Sequence, residues 1–264
     1  MPPDLYFALS LIVKMAVTAG FVLAATLTAE RVGSLVGGLV ATLPIGAGPV
    51  YVFLALDHDA HFIAQSAVAS LAINAANVIF AVVYALLAQK RPLAVSLTVA
   101  FTVWLILAFA INKVTWTILP ALTMNIVVLA VCLYLARPLR HTPIPRSRTR
   151  WYDLVLRAIL VALLVGTVVT LSFRIGPQAS GILAVFPMVL LSIMLIMHRR
   201  VGGPATAALM ANAVFGLVGF GIACIALHAT AESLGVPAGL TLALAVSFGW
   251  GLLVYGVRAR GVPV

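Results

Sequence analysis

Cationic side chains lie inside apolar segments of this chain at two positions, Lys14 and Arg157. Lys14 is about ten residues into the first apolar segment, and about 1.5 Å of helical rise per residue would place it near mid-depth in a bilayer. A charge there costs about 2.5–3.5 kcal/mol on insertion scales, so it needs a partner or a wet cavity. We therefore expect Lys14 to bind an anionic or carbonyl-bearing substrate, with a structural lysine that snorkels outward as the alternative.

The two cations belong to a pattern that occurs twice in the chain. Each matched residue of the first copy is as far from its counterpart in the second copy as Lys14 is from Arg157, and we call this constant spacing the repeat offset. Matches of Leu, Ala or Val mean little in so apolar a chain, whereas matched Arg, Gly and Pro are informative. The matched residues are Lys14, Arg31, Gly33, Gly38 and Pro44 in the first copy and Arg157, Arg174, Gly176, Gly181 and Pro187 in the second. A repeated, Gly/Pro-interrupted apolar segment indicates the binding site of a transporter.

Pro44 and Pro187 each remove a backbone donor and clash with the carbonyl four residues earlier, which predicts a broken helix in both copies. Freed carbonyls at such breaks can bind a substrate or an ion, so Gly38 and Gly181 join the two prolines in the predicted binding site. The alternative is an ordinary kink that packs against a neighbouring helix. Arg157 is a weaker candidate, because it starts near a segment end and Asp153, four residues earlier, is spaced to pair with it.

Polar side chains in the third apolar segment form a single stripe on one helical face. Ser66, Ser70, Asn74 and Asn77 follow a spacing of i, i+4, i+8 and i+11, and Asn212 is the nearest counterpart in the eighth segment. Because unpaired amides are costly in lipid, the stripe must face the interior of the bundle. Two interpretations remain open: Asn74, Asn77 and Asn212 line a substrate pathway, or they form hydrogen bonds between helices.

Composition sets the class of protein. The 264 residues are 64% hydrophobic and 8% charged, with a mean hydropathy of +1.19, whereas a soluble domain keeps about a quarter of its residues charged. Apolar runs of about 20 residues, enough to cross a bilayer, recur along the chain. We predict an all-α polytopic membrane protein with nine spans, at 5–28, 34–56, 61–88, 92–111, 116–136, 152–172, 177–197, 204–227 and 236–257.

The nine spans predict both the topology and the division of the chain. With nine spans, nearly all Lys and Arg residues outside the apolar segments lie on the side of the membrane that holds the C-terminus. Only Lys113 and Arg174 lie on the opposite side. The positive-inside rule then places the N-terminus outside and the C-terminus in the cytoplasm. Residues 1–112 and 151–264 would form two four-helix repeats, joined by a linker helix and basic loop at 113–150, in an inverted 4+1+4 arrangement.

Other functional classes find little support. The net charge of +10 reflects cytoplasmic loops, and the basic loop at 137–150 lacks the aromatic residues of a nucleic-acid surface. The segment Asp57-His58-Asp59-Ala60-His61 could bind a metal, but a solvated loop is the favoured interpretation. No P-loop, HExxH, GxSxG or paired catalytic acids occur, so we expect no enzymatic activity, metal or cofactor.

The run from Gly38-Leu39-Val40 to Pro44, followed by an apolar stretch and a long third span, resembles the GlpM family of small bacterial inner-membrane proteins. The chain resembles two such units fused through a linker helix. This resemblance implies a bacterial inner-membrane location and a link to exopolysaccharide production.

Two functions follow as hypotheses. The first is a secondary transporter or exporter of a small anionic or zwitterionic solute that works by alternating access, with the lipid bilayer and that solute as its partners. The alternative is an accessory membrane protein without transport activity that supports envelope or exopolysaccharide assembly. The sequence leaves homo-oligomerisation open.

Overall fold

A computed structural model describes residues 3–31, 46–140, 142 and 151–259. Within these ranges the chain contains nine α-helices and one short 3-10 turn, and no strand. The helices are α1 (Pro3–Arg31), α2 (Ala47–Asp57), α3 (Ala60–Leu87), α4 (Leu93–Asn112), α5 (Ile118–Ala136), α6 (Trp151–Ala184), α7 (Met188–Val201), α8 (Gly203–Ala231) and α9 (Val236–Ala259), with the 3-10 turn at Arg137–Leu139. Gly33, Gly38 and Pro44 lie outside the described residues.

The helices confirm an all-α membrane protein. Six helical stretches among the described residues are long and apolar enough to cross a bilayer: Ala60–Leu87, Leu93–Asn112, Ile118–Leu139, Trp151–Val201, Gly203–Ala231 and Val236–Val257. Large apolar side chains also cover the outer surface, as on α5, where Leu119 and Val127 are exposed. Such a surface is stable in hydrocarbon and would aggregate in water.

Helix α3 forms the centre of the bundle and packs against α4, α5, α6 and α8. Asp59 caps its N-terminus, because the carboxylate accepts a hydrogen bond of 2.8 Å from the backbone N–H of Phe62. Most of the residues that follow are Ala, Ser, Val or Asn and are buried. Small side chains let neighbouring helices approach closely, so α3 is the element that positions the others.

The segment from Trp151 to Val201 is broken twice. Gly176 adopts a φ of 74° and a ψ of 179°, which falls between the predicted sixth and seventh spans. A second break precedes Pro187, where the backbone N–H of Phe186 turns back to the carbonyl of Leu183 and α7 begins at Met188. The helix break predicted at Pro187 is therefore present, because proline cannot donate to the carbonyl of Leu183.

Helices α3 and α8 pack antiparallel. Ala64, near the start of α3, meets His228 near the end of α8, and Asn74 meets Leu217 near the middle of both. The end of α3 lies against the start of α8 at Gly203. The repeat offset relates these two helices to each other.

Helices α1 and α6 also pack antiparallel. Met15 lies beside Gly166, whereas Val22, further along α1, lies beside Ala158 and Val161, which come earlier in α6. The repeat offset relates these two helices as well, so both antiparallel pairs join helices that have matching positions in the sequence pattern.

Helix starts follow the same offset. Helices α3 and α8 begin at Ala60 and Gly203, and α4 and α9 begin at Leu93 and Val236, and each pair of starts has the spacing of Lys14 and Arg157. The two prolines near the starts of α4 and α9, Pro92 and Pro237, suggest a two-residue slip that the helix starts do not show. Proline is tolerated throughout the first turn of a helix, so it marks a helix start less sharply than the backbone does.

Candidate functional site

Lys14 forms an ion pair with Asp57, the last residue of α2. Its Nζ lies 2.7 Å and 2.5 Å from the two carboxylate oxygens, and the two side chains are 12% and 19% exposed. The ring of Phe53 lies beneath the ammonium, 5.9 Å away. The partner that the buried charge of Lys14 requires is therefore the carboxylate of Asp57, 43 residues further along the chain. Because Asp57 is the last residue of α2, the Nζ atom of Lys14 lies level with the end of α2 and not with the middle of α2.

His58 is the residue after Asp57, and its ring packs against aromatic side chains. Its ring stacks on Phe62 with centroids 3.7 Å apart, and its Nε2 lies 2.8 Å from Ser172 Oγ. Because Ser172 gives its own proton to the carbonyl of Val169, the imidazole donates through Nε2–H. Burial lowers the pKa of His58, Asp57 and Asp59 raise it, and Lys14 lowers it, so that the net shift is downward.

The carboxylates and histidines near Asp57 spread in different directions. His61 Nδ1 lies 2.8 Å from Glu232 Oε1 on the exposed surface, away from the Lys14 pair. Across the described residues, no group of three or more His, Cys, Asp or Glu side chains is arranged to hold a metal ion.

A cavity of about 400 Å³ lies one helical turn from the ion pair, between α1, α2, α8 and α9. Thr18 and Phe53 line it, and these two residues are four positions from Lys14 and Asp57 respectively. The remaining walls are mostly apolar, with Tyr51 and Thr241 as the other hydroxyl groups. The sequence carries little sign of this cavity, because Ala, Gly and Leu residues distant along the chain form its walls.

The polar stripe of α3 binds the backbone of the broken segment. Ser66 Oγ donates to the carbonyl of Pro177 (3.0 Å), Ser70 Oγ to that of Gly181 (2.7 Å), and Asn77 Nδ2 to that of Val185 (2.8 Å). These carbonyls lie between the break at Gly176 and α7. The stripe therefore faces the bundle interior, where it forms hydrogen bonds between helices.

Gly181 and Asn77 fit this contact closely. A Cβ on Gly181 would overlap the backbone of Ser66, so only glycine permits the approach. Asn77 Oδ1 accepts a hydrogen bond of 2.6 Å from Trp104 Nε1, so its amide connects α4 to the break before Pro187.

Asn74 joins three helices at the centre of the bundle. Its Nδ2 donates to Asn125 Oδ1 on α5 (2.9 Å) and to the carbonyl of Leu217 on α8 (3.0 Å), and Asn125 donates in turn to the carbonyl of Leu71. Asn125 was missed from the sequence, although it is the one amide side chain in the apolar α5, and such a residue needs a partner.

Asn212 does not take part in this junction through its amide nitrogen. Its Nδ2 donates to the carbonyl of Ala208 in its own helix. The position that the repeat offset relates to Asn212 is Ala69, which is next to Ser70 of the α3 stripe.

A second ion pair connects Asp153 in the first turn of α6 to Arg200 in the last turn of α7. The closest nitrogen–oxygen distance is 2.6 Å, and the Asp153 side chain is only 3% exposed. The guanidinium of Arg200 also lies over the ring of Tyr152, 5.6 Å from its centroid. The sequence spacing predicted Arg157 as a partner of Asp153, and the structure adds Arg200 from the next helix as a partner. Arg157 lies one turn further along α6 and is partly buried.

One side chain connects the cavity to the broken segment. Tyr51 lines the cavity and its hydroxyl lies 2.6 Å from Ser70 Oγ. Because Ser70 gives its proton to the carbonyl of Gly181, Tyr51 is the donor to Ser70. Among the predicted site residues, Lys14 thus lies beside the cavity, and Gly181 is connected to the cavity through Ser70 and Tyr51.

Comparison of the chain with protein-family models, curated proteins and solved structures gives no match. The function must therefore be argued from the geometry of the chain itself.

Proposed function

We propose that the chain is a secondary transporter or exporter of a bacterial inner membrane, and not an enzyme. Nine spans in an inverted 4+1+4 repeat would alternate access to a substrate that carries an anionic or zwitterionic group. The N-terminus would lie outside and the C-terminus in the cytoplasm. The resemblance to GlpM proteins agrees with this location.

Antiparallel packing of related helices is the observation that carries the proposal. An inverted repeat related by a two-fold axis in the membrane plane requires equivalent helices to run in opposite directions where they meet. Helices α3 and α8 do so, and Asn74 donates to Leu217, the residue 143 positions later. A residue touches its own equivalent only near a two-fold axis, so the axis would pass beside Asn74.

The broken segment supports movement in this arrangement. Side chains of α3 donate hydrogen bonds to its carbonyls at Pro177, Gly181 and Val185. Side-chain hydrogen bonds between helices in membranes contribute only about 0.6 kcal/mol each on average, so they can exchange as helices shift. A discontinuous helix near the middle of the membrane is a common device of alternating access.

Lys14 is the proposed anchor. An anionic group on the substrate would compete with the carboxylate of Asp57 for the ammonium, and a cationic group on the same substrate could then pair with Asp57. Both side chains are mostly buried, so a charge left without a partner would be costly.

A cellular experiment tests this function. Metabolites and lipids inside and outside cells that lack the protein are compared after complementation with wild type, Lys14→Ala or Lys113→Ala. Lys113 is an exposed lysine at the end of α4 and serves as the matched control. We expect the distribution of one compound to be restored by wild type and Lys113→Ala but not by Lys14→Ala.

Two results would contradict the proposal. If no compound changes its distribution in cells that lack the protein, transport is excluded and an accessory role is favoured. If Lys14→Ala restores the distribution fully, Lys14 is not the anchor.

A further inference from the structure

Among the described residues that line the cavity beside Lys14, every hydroxyl proton is already committed. Thr18 Oγ1 donates to the carbonyl of Lys14 (2.8 Å) and Thr241 Oγ1 to that of Pro237 (2.8 Å), each within its own helix. Tyr51 donates to Ser70 Oγ, as described above. A hydrogen-bond acceptor of a polar solute in this space would lose its bonds to water without replacement by these hydroxyl groups, and such a loss costs several kcal/mol in small-molecule transfer. The cavity therefore suits hydrocarbon.

The cavity opens toward the lipid-facing surface. Val17 on α1 and Leu244 on α9 line it and are 57% and 51% exposed. Because exposed apolar side chains of a membrane-spanning helix face hydrocarbon, a chain from the bilayer can enter between α1 and α9 without crossing water. A volume of about 400 Å³ is within the range of small-molecule sites.

Charged groups are found just beyond one end of the cavity. Lys14 and Asp57 lie one helical turn from the lining residues Thr18 and Phe53. A purely anionic group that bound Lys14 would leave the partly buried Asp57 carboxylate without a partner. A zwitterionic group satisfies both charges, since its anion can pair with Lys14 and its cation with Asp57.

We propose that this cavity binds the hydrocarbon chain of an amphiphile whose zwitterionic head group pairs with Lys14 and Asp57. The proposal names the substrate class for the transport function given above and rests on it only for movement of the ligand, since binding itself needs no transport. The same chemistry is found in two-chain membrane phospholipids and in single-chain zwitterionic amphiphiles.

The equivalent place between α3, α4, α6 and α7 shows how the cavity can be closed. The repeat offset relates Ala223 and Leu244, which line the cavity, to Phe80 and Phe101. Phe80 is fully buried, and Phe101 stacks on Trp104 with centroids 6.0 Å apart. Aromatic side chains thus occupy the equivalent positions, and Ala223→Phe and Leu244→Phe would introduce the same side chains into the cavity.

Photolabelling of the purified full chain in lipid nanodiscs tests the proposal. The probe is a long-chain alkyl phosphocholine with a photoreactive diazirine in its chain, and labelled peptides are identified by mass spectrometry. We expect wild type to be labelled on α8 around Phe220 and Ala223. Because a bulky side chain occupies the space that the hydrocarbon needs, Ala223→Phe and Leu244→Phe should each reduce this labelling by about tenfold.

Matched controls separate the site from general contact with lipid. Val127→Phe, on the lipid-facing side of α5, should leave α8 labelling unchanged. Leu244 is half exposed, so its replacement is tolerated if Ala223→Phe fails to fold, and size-exclusion profiles report folding. Competition by unlabelled single-chain alkyl phosphocholine or by two-chain phosphatidylcholine tells which source the site prefers.

The outcomes separate this proposal from the transport function. Labelling of α8 that is absent, or that persists unchanged in folded Leu244→Phe, overturns the hydrocarbon site. If α8 is labelled at this site but the protein changes the distribution of no compound in cells, the hydrocarbon site stands and the transport function is wrong. If the protein transports a solute without a hydrocarbon chain and α8 is not labelled, the transport function stands and the hydrocarbon site is wrong.

Discussion

The molecule contains two ion pairs that each involve the end of a helix, α2 in one case and α7 in the other, with the charges reversed. In the first, the cation Lys14 on α1 pairs with Asp57 at the end of α2, and in the second, the anion Asp153 on α6 pairs with Arg200 at the end of α7. The repeat offset relates Asp57 to Arg200 but relates Lys14 to Arg157 rather than to Asp153, so the two helix ends carry opposite charges and take their partners from different positions of α1 and α6. Under the proposed topology the acidic end faces outside and the basic end faces the cytoplasm, as the positive-inside rule requires.

The surroundings of α2 and α7 are also filled differently. Helices α1, α2, α8 and α9 enclose a cavity beside the first ion pair, whereas the equivalent place between α3, α4, α6 and α7 is packed with aromatic residues. The region around α6 and α7 is therefore filled by side chains where the first region leaves open space. The contrast predicts that changes in that region chiefly affect stability, and that changes around the cavity chiefly affect ligand binding.

The largest effect on stability should come from Gly181. Because a Cβ there would overlap the backbone of Ser66, Gly181→Val should destabilise the fold by about 3 kcal/mol or prevent its accumulation. Gly216 on α8 has open space where a Cβ would lie and serves as the control. Unfolding in SDS titrations measures both variants, and equal stability of Gly181→Val and Gly216→Val would refute the close contact.

The two ion pairs should respond unequally to loss of their cations. Arg200→Ala removes the guanidinium that pairs with Asp153, whose side chain is 3% exposed. Lys14→Ala removes the ammonium that pairs with Asp57, whose side chain is 19% exposed. We expect a cost of about 3 kcal/mol for Arg200→Ala and about 1 kcal/mol for Lys14→Ala, because loss of a partner costs a buried charge more than a partly solvated one. Thermal melting in detergent compares them, and a larger loss for Lys14→Ala would reverse the comparison.

Asn77 should stabilise the region around α6 and α7 through both of its polar atoms. Asn77→Ala leaves the carbonyl of Val185 and the indole N–H of Trp104 without this partner, for an expected cost of about 2 kcal/mol. Thr123→Ala removes only an exposed hydroxyl that donates within α5, so its stability should match wild type. Similar stability of the two variants would show that the break before Pro187 does not depend on α3.

The smallest expected effect is the pH dependence that His58 causes. Its folded-state pKa is lowered, so its contribution to stability is present above the unfolded-state pKa, about 6.5, and is lost as the pH falls through the lower folded-state pKa. His58→Phe keeps a ring over Phe62 and should flatten the stability profile between about pH 7 and pH 5. An unchanged slope in that variant would assign the pH dependence to other groups.

Local physics explains which features the sequence could predict. The break at Pro187 follows from one missing donor, and the inward stripe of α3 follows from helical spacing and the cost of a bare amide in lipid. The partners lie elsewhere in the chain, as Asp57, Asn125 and Arg200 show. Packing between distant segments of similar Ala and Leu residues decides which carboxylate contacts Lys14 and where a cavity forms. Residue spacing along a single helix does not predict that packing.

The inverted repeat is the central claim, and the sidedness of two loops tests it most directly. In cells expressing variants without the native cysteines Cys132 and Cys224, a membrane-impermeant maleimide is applied to Lys113→Cys or Arg146→Cys. We predict that Lys113→Cys reacts in intact cells and that Arg146→Cys reacts only after permeabilisation. Reaction of both from the same side would mean that α5 does not cross the membrane, and the two halves could then not be inverted.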